Sequence, residues 1–330
     1  MIALWDTTGT EVVRALAAER RSAGGVASGL ALTLIAIVDE KLVREAEAAL
    51  TVAAEQHPCR LIIVVRRGVL DPESRLDAEI IVGGRLGPCE AVVMRMHGRL
   101  ALHAESVALP LLAPDVPVVT WWHGTQPESI AYDPLGVVAD RRITDCSAAP
   151  DPVLGLKQRA TDYAPGDTDL AWTRITPWRG IVASAFDTVS APPKTIQISG
   201  SPTDPSALLL AGWLRARLGI RPKITGPSDG RGIDAVEITL ADGAEISITR
   251  ANGTALLRRT GVEDRTLPLL ERTLGEELAE ELRRLDPDQS YAAALAAATG
   301  TKGLDARAAT RTHIWHDPAV AERPEQPDSE

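Results

Sequence analysis

Two hydrophobic periodicities alternate along the first part of the chain. Over residues 7–21 a Thr-Gly-Thr cluster precedes Val12, Val13, Leu16 and Ala17 at helical spacing, which predicts a helix ended by Gly24-Gly25. Residues 30–38 are a short unbroken apolar run, the pattern of a strand buried on both faces. Residues 41–56 return to helical spacing, with Leu42, Ala46, Ala49, Leu50 and Ala53 on one stripe. His57-Pro58 stops that helix, because the residue before proline avoids the helical region. Residues 61–65 form a second buried run. Strand, crossover helix and strand in this order make a parallel βαβ unit. Further strands are predicted at 78–82, 91–96 and 117–121, and a helix at 100–112. The first half reads as a doubly wound, mostly parallel α/β domain.

The pattern changes after Pro150-Asp151-Pro152 and Ala164-Pro165-Gly166-Asp167, the two strongest breaks. Asp204-Pro205 is an N-cap followed by proline, and Leu208, Leu209, Trp213 and Leu214 predict a helix ending at Gly219. Val236, Ile238 and Leu240 alternate with Glu237 and Thr239, and Ile246 and Ile248 with Ser247 and Thr249. With Asp242-Gly243 and Asn252-Gly253 as turns, they predict an antiparallel meander. Thr273-Leu274-Gly275-Glu276 is a capping box for a helix carrying Leu274, Leu278, Leu282 and Leu285 on one face. The expected organisation is an α/β domain over 1–164, Rossmann-like but without a nucleotide loop. An α+β domain with an antiparallel sheet and covering helices follows over 165–316, then a disordered acidic tail over 317–330.

Composition narrows the function classes. Thirty-five basic against 45 acidic residues give a net charge of −10, which disfavours nucleic acid and anionic lipid as partners. No apolar stretch approaches the ~20 residues that a membrane-spanning helix needs. Residues 1–10 carry no positive charge and an Asp at position 6, unlike a secretory signal. Three cysteines cannot make a disulfide framework, so a cytoplasmic protein is expected.

The search for chemistry returns little. Gly24-Gly25…Gly29 lies between a predicted helix and a strand, and Gly83-Gly84…Gly87 between two strands. Neither has the strand–loop–helix context that a phosphate needs, so no cofactor is expected. His313 and His316, with Asp317, have metal-like spacing but no cysteine companion; Cys59, Cys89 and Cys146 are too far apart for a zinc pattern, so no metal is expected. No nucleophile elbow and no paired acid–base carboxylates stand out, so no catalytic residue is assigned. What does stand out is tryptophan, seven of eleven aromatics. Trp121 and Trp122 end a predicted strand. Trp172, Arg174, Trp178 and Arg179 follow a helix cap at 167–169, with Arg174 and Trp178 placed i, i+4 for stacking. These six residues are the expected partner-binding set, since Trp and Arg dominate interface hot spots. The competing assignment is that Trp172 and Trp178 pack the domain junction.

Two of these segments resemble the signature of a known family. Asp167-Thr168-Asp169-Leu170-Ala171-Trp172-Thr173-Arg174-Ile175-Thr176-Pro177-Trp178-Arg179, and Asp133-Pro134-Leu135-Gly136 with Arg141-Arg142-Ile143-Thr144-Asp145, resemble the OpcA family, the glucose-6-phosphate dehydrogenase assembly proteins. His57-Pro58-Cys59-Arg60, Pro117-Val118-Val119-Thr120-Trp121-Trp122 and Ala279-Glu280-Glu281-Leu282-Arg283-Arg284-Leu285-Asp286-Pro287 agree in order. The resemblance implies a non-catalytic activator that binds glucose-6-phosphate dehydrogenase and promotes its active oligomer in the oxidative pentose phosphate pathway. Some relatives are redox-controlled through cysteines and thioredoxin; the three scattered cysteines here match no regulatory pair. An α/β enzyme or sensor binding a sugar phosphate or nucleotide, and a thiol-based sensor, are the other classes left open.

Overall fold

The unbroken apolar runs become strands covered on both sides. A computed structural model describes residues 1–22, 30–83, 89–187, 189–227 and 232–315. The Gly24–Gly25 stop, most of the second glycine run, His316 and the acidic tail lie outside the described residues.

In chain order the first half comprises β1 (Ile2–Leu4), α1 (Gly9–Ser22), β2 (Leu32–Val38), α2 (Val43–Gln56), β3 (Cys59–Arg67), β4 (Arg75–Val82), β5 (Glu90–His97), α3 (Glu105–Ala108), β6 (Val118–His123), α4 (Pro134–Val137), β7 (Arg141–Thr144) and α5 (Pro152–Asp162). The eight-stranded sheet runs β1-β4-β5-β3-β2-β6-β7-β8, and its last strand, β8 (Asp167–Asp169), comes from beyond residue 164. Pairing is parallel from β5 to β8, while β1 and β4 are antiparallel. The helix expected at 100–112 is instead α3 between short 3-10 turns. Pro110 has no N–H to give and its ring collides with the preceding turn, so a continuous helix cannot pass through it.

The second half comprises α6 (Leu170–Arg174), α7 (Thr176–Phe186), β9 (Pro193–Gly200), α8 (Pro205–Leu218), β10 (Lys223–Thr225), β11 (Ile233–Leu240), β12 (Glu245–Ala251), β13 (Thr254–Arg259), β14 (Val262–Pro268), α9 (Leu274–Leu282) and α10 (Gln289–Thr299). Its six-stranded sheet runs β10-β9-β11-β12-β13-β14. Asn252 (φ 47°) and Gly253 (φ 76°) take the left-handed conformation that the β12–β13 turn requires. The capping box at Thr273 and Glu276 forms as the sequence predicts.

Three apolar clusters account for the packing. One lies on the face of the first sheet covered by α2 and contains Leu34, Leu61, Ile63 and Trp121. It also contains Leu278, Ala279 and Leu282, so α9, late in the chain, packs on the first sheet's helical layer. A Cβ on Gly275 would lie 2.7 Å from Val52 Cβ, and that close approach requires glycine. The opposite face packs Val12, Leu16, Ile35, Ile62 and Trp122. The third cluster joins the inner face of the second sheet to α5, α7, α8 and α10. No helix among the described residues is long and apolar enough to cross a membrane.

Candidate functional site: the signature segment and its cleft

The segment 167–179 passes from the edge of one sheet to the helices of the other. Its carboxylates are engaged and Arg174 is forked twice, while Thr168 Oγ1, Trp178 Nε1 and Arg179 Nε are buried without a hydrogen-bond partner among the described residues. Asp167 accepts from the Arg142 and Arg311 guanidiniums and from the Ala164 amide. Asp169 caps α6 through the Ala171 amide (3.0 Å) and also accepts from Thr144 Oγ1 (2.8 Å) and the Cys146 amide (2.9 Å). Its complete burial pushes this carboxyl above the usual range, and the Asp145 charge adds to the shift.

Ile175 breaks the helical run and Pro177 opens α7, so Arg174 and Trp178 stand on two successive helices. The stacking expected between them does not form. Arg174 makes a fork to Glu277 (2.8 Å from both Nε and Nη2) and another to Asp145 (2.8 and 2.6 Å), joining α9 to the end of β7. Burial works against its charge, but the two carboxylates outweigh that and hold the proton more tightly than in water. The stacked pair is instead Arg179 over Trp172, 3.5 Å from guanidinium carbon to ring centroid. Burial lowers Arg179 to about 10, opposed by Asp288 and Glu281, so it stays protonated at neutral pH.

The four tryptophans expected at a partner surface are inside the protein. Trp121, Trp122, Trp172 and Trp178 are 0, 1, 2 and 1% exposed. Trp121 and Trp122 are successive strand residues and so enter opposite faces of the first sheet. Trp122 donates to Asp133 (3.1 Å), and Trp172 donates to Asp288 (2.8 Å) and tilts against Tyr291. These indoles are packed inside the chain, not exposed as surface anchors would be. Arg174 and Arg179 are half-buried and tied to groups of the same chain.

Doubly wound sheets take ligands where the strand order reverses, here between β2 and β6. There the loop after β6 is tied to the end of β2. Asp39, just past β2, accepts from the Thr125 amide and hydroxyl, both at 3.0 Å. Gly124 (φ 115°) lies so close that a Cβ would sit 2.4 Å from the Asp39 carboxylate. A cleft of about 820 Å³ opens elsewhere, between the carboxyl end of the first sheet and the second sheet, lined in part by Asp145, Arg174, Trp178, Asp204, Arg250 and Glu277. Its charges are compensated within the chain, Arg174 by Asp145 and Glu277 and Arg250 by Glu271. Asp204 caps α8 and accepts from the Ser206 amide, which spends that helix terminus.

The cysteines are buried thiols. Burial raises the thiols of Cys59 and Cys89 to about 12 and 11, and that of Cys146 well above its ordinary value. Sequence reasoning missed the polar frame: Arg141, Arg142, Asp145, Glu277 and Glu281 showed no periodicity, and only their place in the family-like segments marked them.

Two family models match this chain. The glucose-6-phosphate dehydrogenase subunit N-terminal domain, of the OpcA type, matches residues 50–161, and the corresponding C-terminal domain matches residues 165–295. The OxPP cycle protein OpcA of Synechococcus elongatus is 27% identical over 190 residues, covering 52% of this chain and 42% of the relative. The OxPP cycle protein OpcA of Synechocystis is 28% identical over 183 residues, covering 51% of this chain and 38% of the relative. The matched region thus spans about four-tenths of those relatives' length. Among solved structures, a dehydrogenase (MviM) from Clostridium difficile aligns over 83% of this chain and 98% of its own at 8% identity, with a TM-score of 0.35, too weak a likeness to carry an argument.

Proposed function

The chain belongs to the OpcA family, and from that premise we propose that it binds glucose-6-phosphate dehydrogenase and favours the enzyme's active oligomer, without performing chemistry itself. The observation that carries this reading is the pair of family matches, both described as dehydrogenase subunit domains and together covering most of the chain. Two features of the structure support it. At the crevice where a doubly wound sheet would take a nucleotide, Asp39 and Thr125 tie the loop after β6 to the end of β2. The signature segment is built as a brace: Arg174 clamps Asp145 and Glu277, and Arg141 and Thr173 both reach Glu281. A brace of this kind holds two sheets in one relative orientation, and a rigid surface loses little ordering entropy on binding.

By linkage, a protein that prefers the active oligomer raises that oligomer's population by the ratio of its two affinities. In this reading Trp121, Trp122, Trp172, Arg174, Trp178 and Arg179 build the interior frame and make no direct contact with the enzyme. The reading is tested by titrating the purified chain into its cognate dehydrogenase while following NADP reduction. The rate at subsaturating glucose 6-phosphate should rise and saturate, and the chain alone should give none. A flat titration with no co-elution of the two proteins refutes it.

A further inference from the structure

Among the described residues, the second sheet is covered on one side only. Ile196, Ile198, Val236, Ile238, Ile246, Ile248, Ala255 and Leu257 face its helices and are buried. The alternate residues make an outer face, and the register lines them up in rows across the strands. One row is Lys223, Gln197, Glu237, Ser247 and Arg258; the next is Thr225, Ser199, Ala235, Thr249, Leu256 and Thr266. Gln197, Glu237, Thr249 and Arg258 are exposed, while Ser199, Ala235, Ser247 and Leu256 are half-buried. The second row carries no charge on six consecutive strands, in a chain that is 24% charged. In the first row Glu237 has no ion-pair partner among the described residues, Arg258 already holds Asp264 of β14 at 3.0 Å, and the charges alternate: Lys223 positive, Glu237 negative, Arg258 positive, Asp264 negative.

We propose that this face packs against the same face of a second copy of the chain, about a two-fold axis running along β12. The side-chain pattern is complementary to itself about that line. Strands β11 and β13 lie on either side of β12, so the rotation sets Glu237 of each copy opposite Arg258 of the other. In the neutral row, small Ala235 comes opposite large Leu256, and Ser199 opposite Thr266. Ser247 and Thr249 meet their own counterparts on the axis, where hydroxyls can hydrogen-bond. Glu245, at the end of β12, meets its own counterpart at the exposed rim; Asp264, one strand from the Arg258 that faces Glu237, is neutralised by Arg258 and comes opposite the uncharged Gln197. An axis along β11 is excluded by the same arithmetic, since it sets Glu237 on Glu237 and Lys223 on Arg258.

The area is sufficient. Five overlapping strands at ~4.8 Å and four side-chain rows at ~6.8 Å give a footprint of roughly 650 Å² per copy, or about 1,300 Å² in total, within the range of specific interfaces. Face-to-face sheets with their strands within ~30° are the ordinary geometry of β-sandwich packing.

The test uses the full chain and light scattering at tens of micromolar. The expected mass is that of two 35.1 kDa chains. Glu237→Arg places like charges together twice in the dimer and should weaken it at least about a hundredfold. Arg258→Glu should do the same, and combining the two swaps should restore the dimer. Circular dichroism of each exposed-site variant controls for folding. A 35.1 kDa species at every concentration, or a dimer indifferent to both swaps, overturns the proposal. So does a monomeric wild type whose dehydrogenase binding is abolished by Glu237→Arg, which would assign the face to the enzyme instead.

Discussion

Trp172→Ala separates a structural signature from a contact surface. The indole is 2% exposed, donates to Asp288 at 2.8 Å, carries the Arg179 guanidinium at 3.5 Å and leans on Tyr291 with ring centroids 5.8 Å apart. Removing a buried Trp costs about 3–5 kcal/mol through lost burial and the cavity left behind. The half-buried Arg179 also loses its aromatic cover, a further ~0.5–2 kcal/mol. At about 2 °C per kcal/mol for a chain of this size, the melting temperature should fall by roughly 7–14 °C. Trp172→Phe keeps most of the ring and loses the Asp288 bond, so it should cost roughly 1 kcal/mol beyond the smaller ring. Scanning calorimetry and urea titration measure both variants, and dehydrogenase affinity is then measured well below the lowered melting point. Affinity there should stay within about twofold of wild type, since a change of 1.4 kcal/mol would be tenfold. A Trp172→Ala protein that melts like wild type yet binds the enzyme thirtyfold more weakly would refute the core assignment.

Other expectations follow from the same frame. Arg174→Ala leaves the largely buried Glu277 and Asp145 facing each other without a cation, so it should destabilise by about 3–5 kcal/mol, and Arg174→Ala/Glu277→Ala should recover part of that in chemical denaturation. Burial works against Asp133 ionising, but Arg66 and the Trp122 donor outweigh it and hold its carboxyl below the ordinary 3.8. A lowered carboxylate contributes stability above its unfolded value and loses it as pH falls through the folded one. Arg66→Met should therefore move the acid-unfolding midpoint to higher pH in a circular-dichroism titration, and an unmoved midpoint contradicts this. The raised thiols of Cys59, Cys89 and Cys146 should resist a thiol reagent at neutral pH until denaturant is added. Rapid native labelling, or dehydrogenase activation that is lost on mild oxidation and restored by dithiol, would count against inert core thiols.

Much of the architecture was legible because burial is written in apolar runs. β2 and β3 have nothing but Val, Ile, Leu, Ala, Cys, Thr and Arg, and their neighbours in the sheet follow from the βαβ rule. β7 and β8 were missed because they are nearly all polar: Arg141, Arg142, Thr144, Asp167 and Asp169 are buried through ion pairs and hydrogen bonds, and Thr168 is buried between them. Periodicity sees hydrophobicity and has no signal for a charge neutralised by a residue 140 positions away, as Arg141 is by Glu281. The same limit explains the tryptophans. Their sequence clustering was real, but an anchor aimed outward and a brace aimed inward look identical until the opposite layer is in place. Pro177 carried the clue that Arg174 and Trp178 would not stack, because proline opens a new helix more often than it continues one.

The most direct measurement is the mass distribution of the cognate glucose-6-phosphate dehydrogenase, by light scattering at fixed enzyme concentration, with and without this chain. The enzyme should shift from smaller species to its larger active oligomer with the chain bound, and NADP reduction should rise in the same proportion. An unchanged distribution with no mass added to the enzyme, across a clear excess of the chain, would contradict the assembly role.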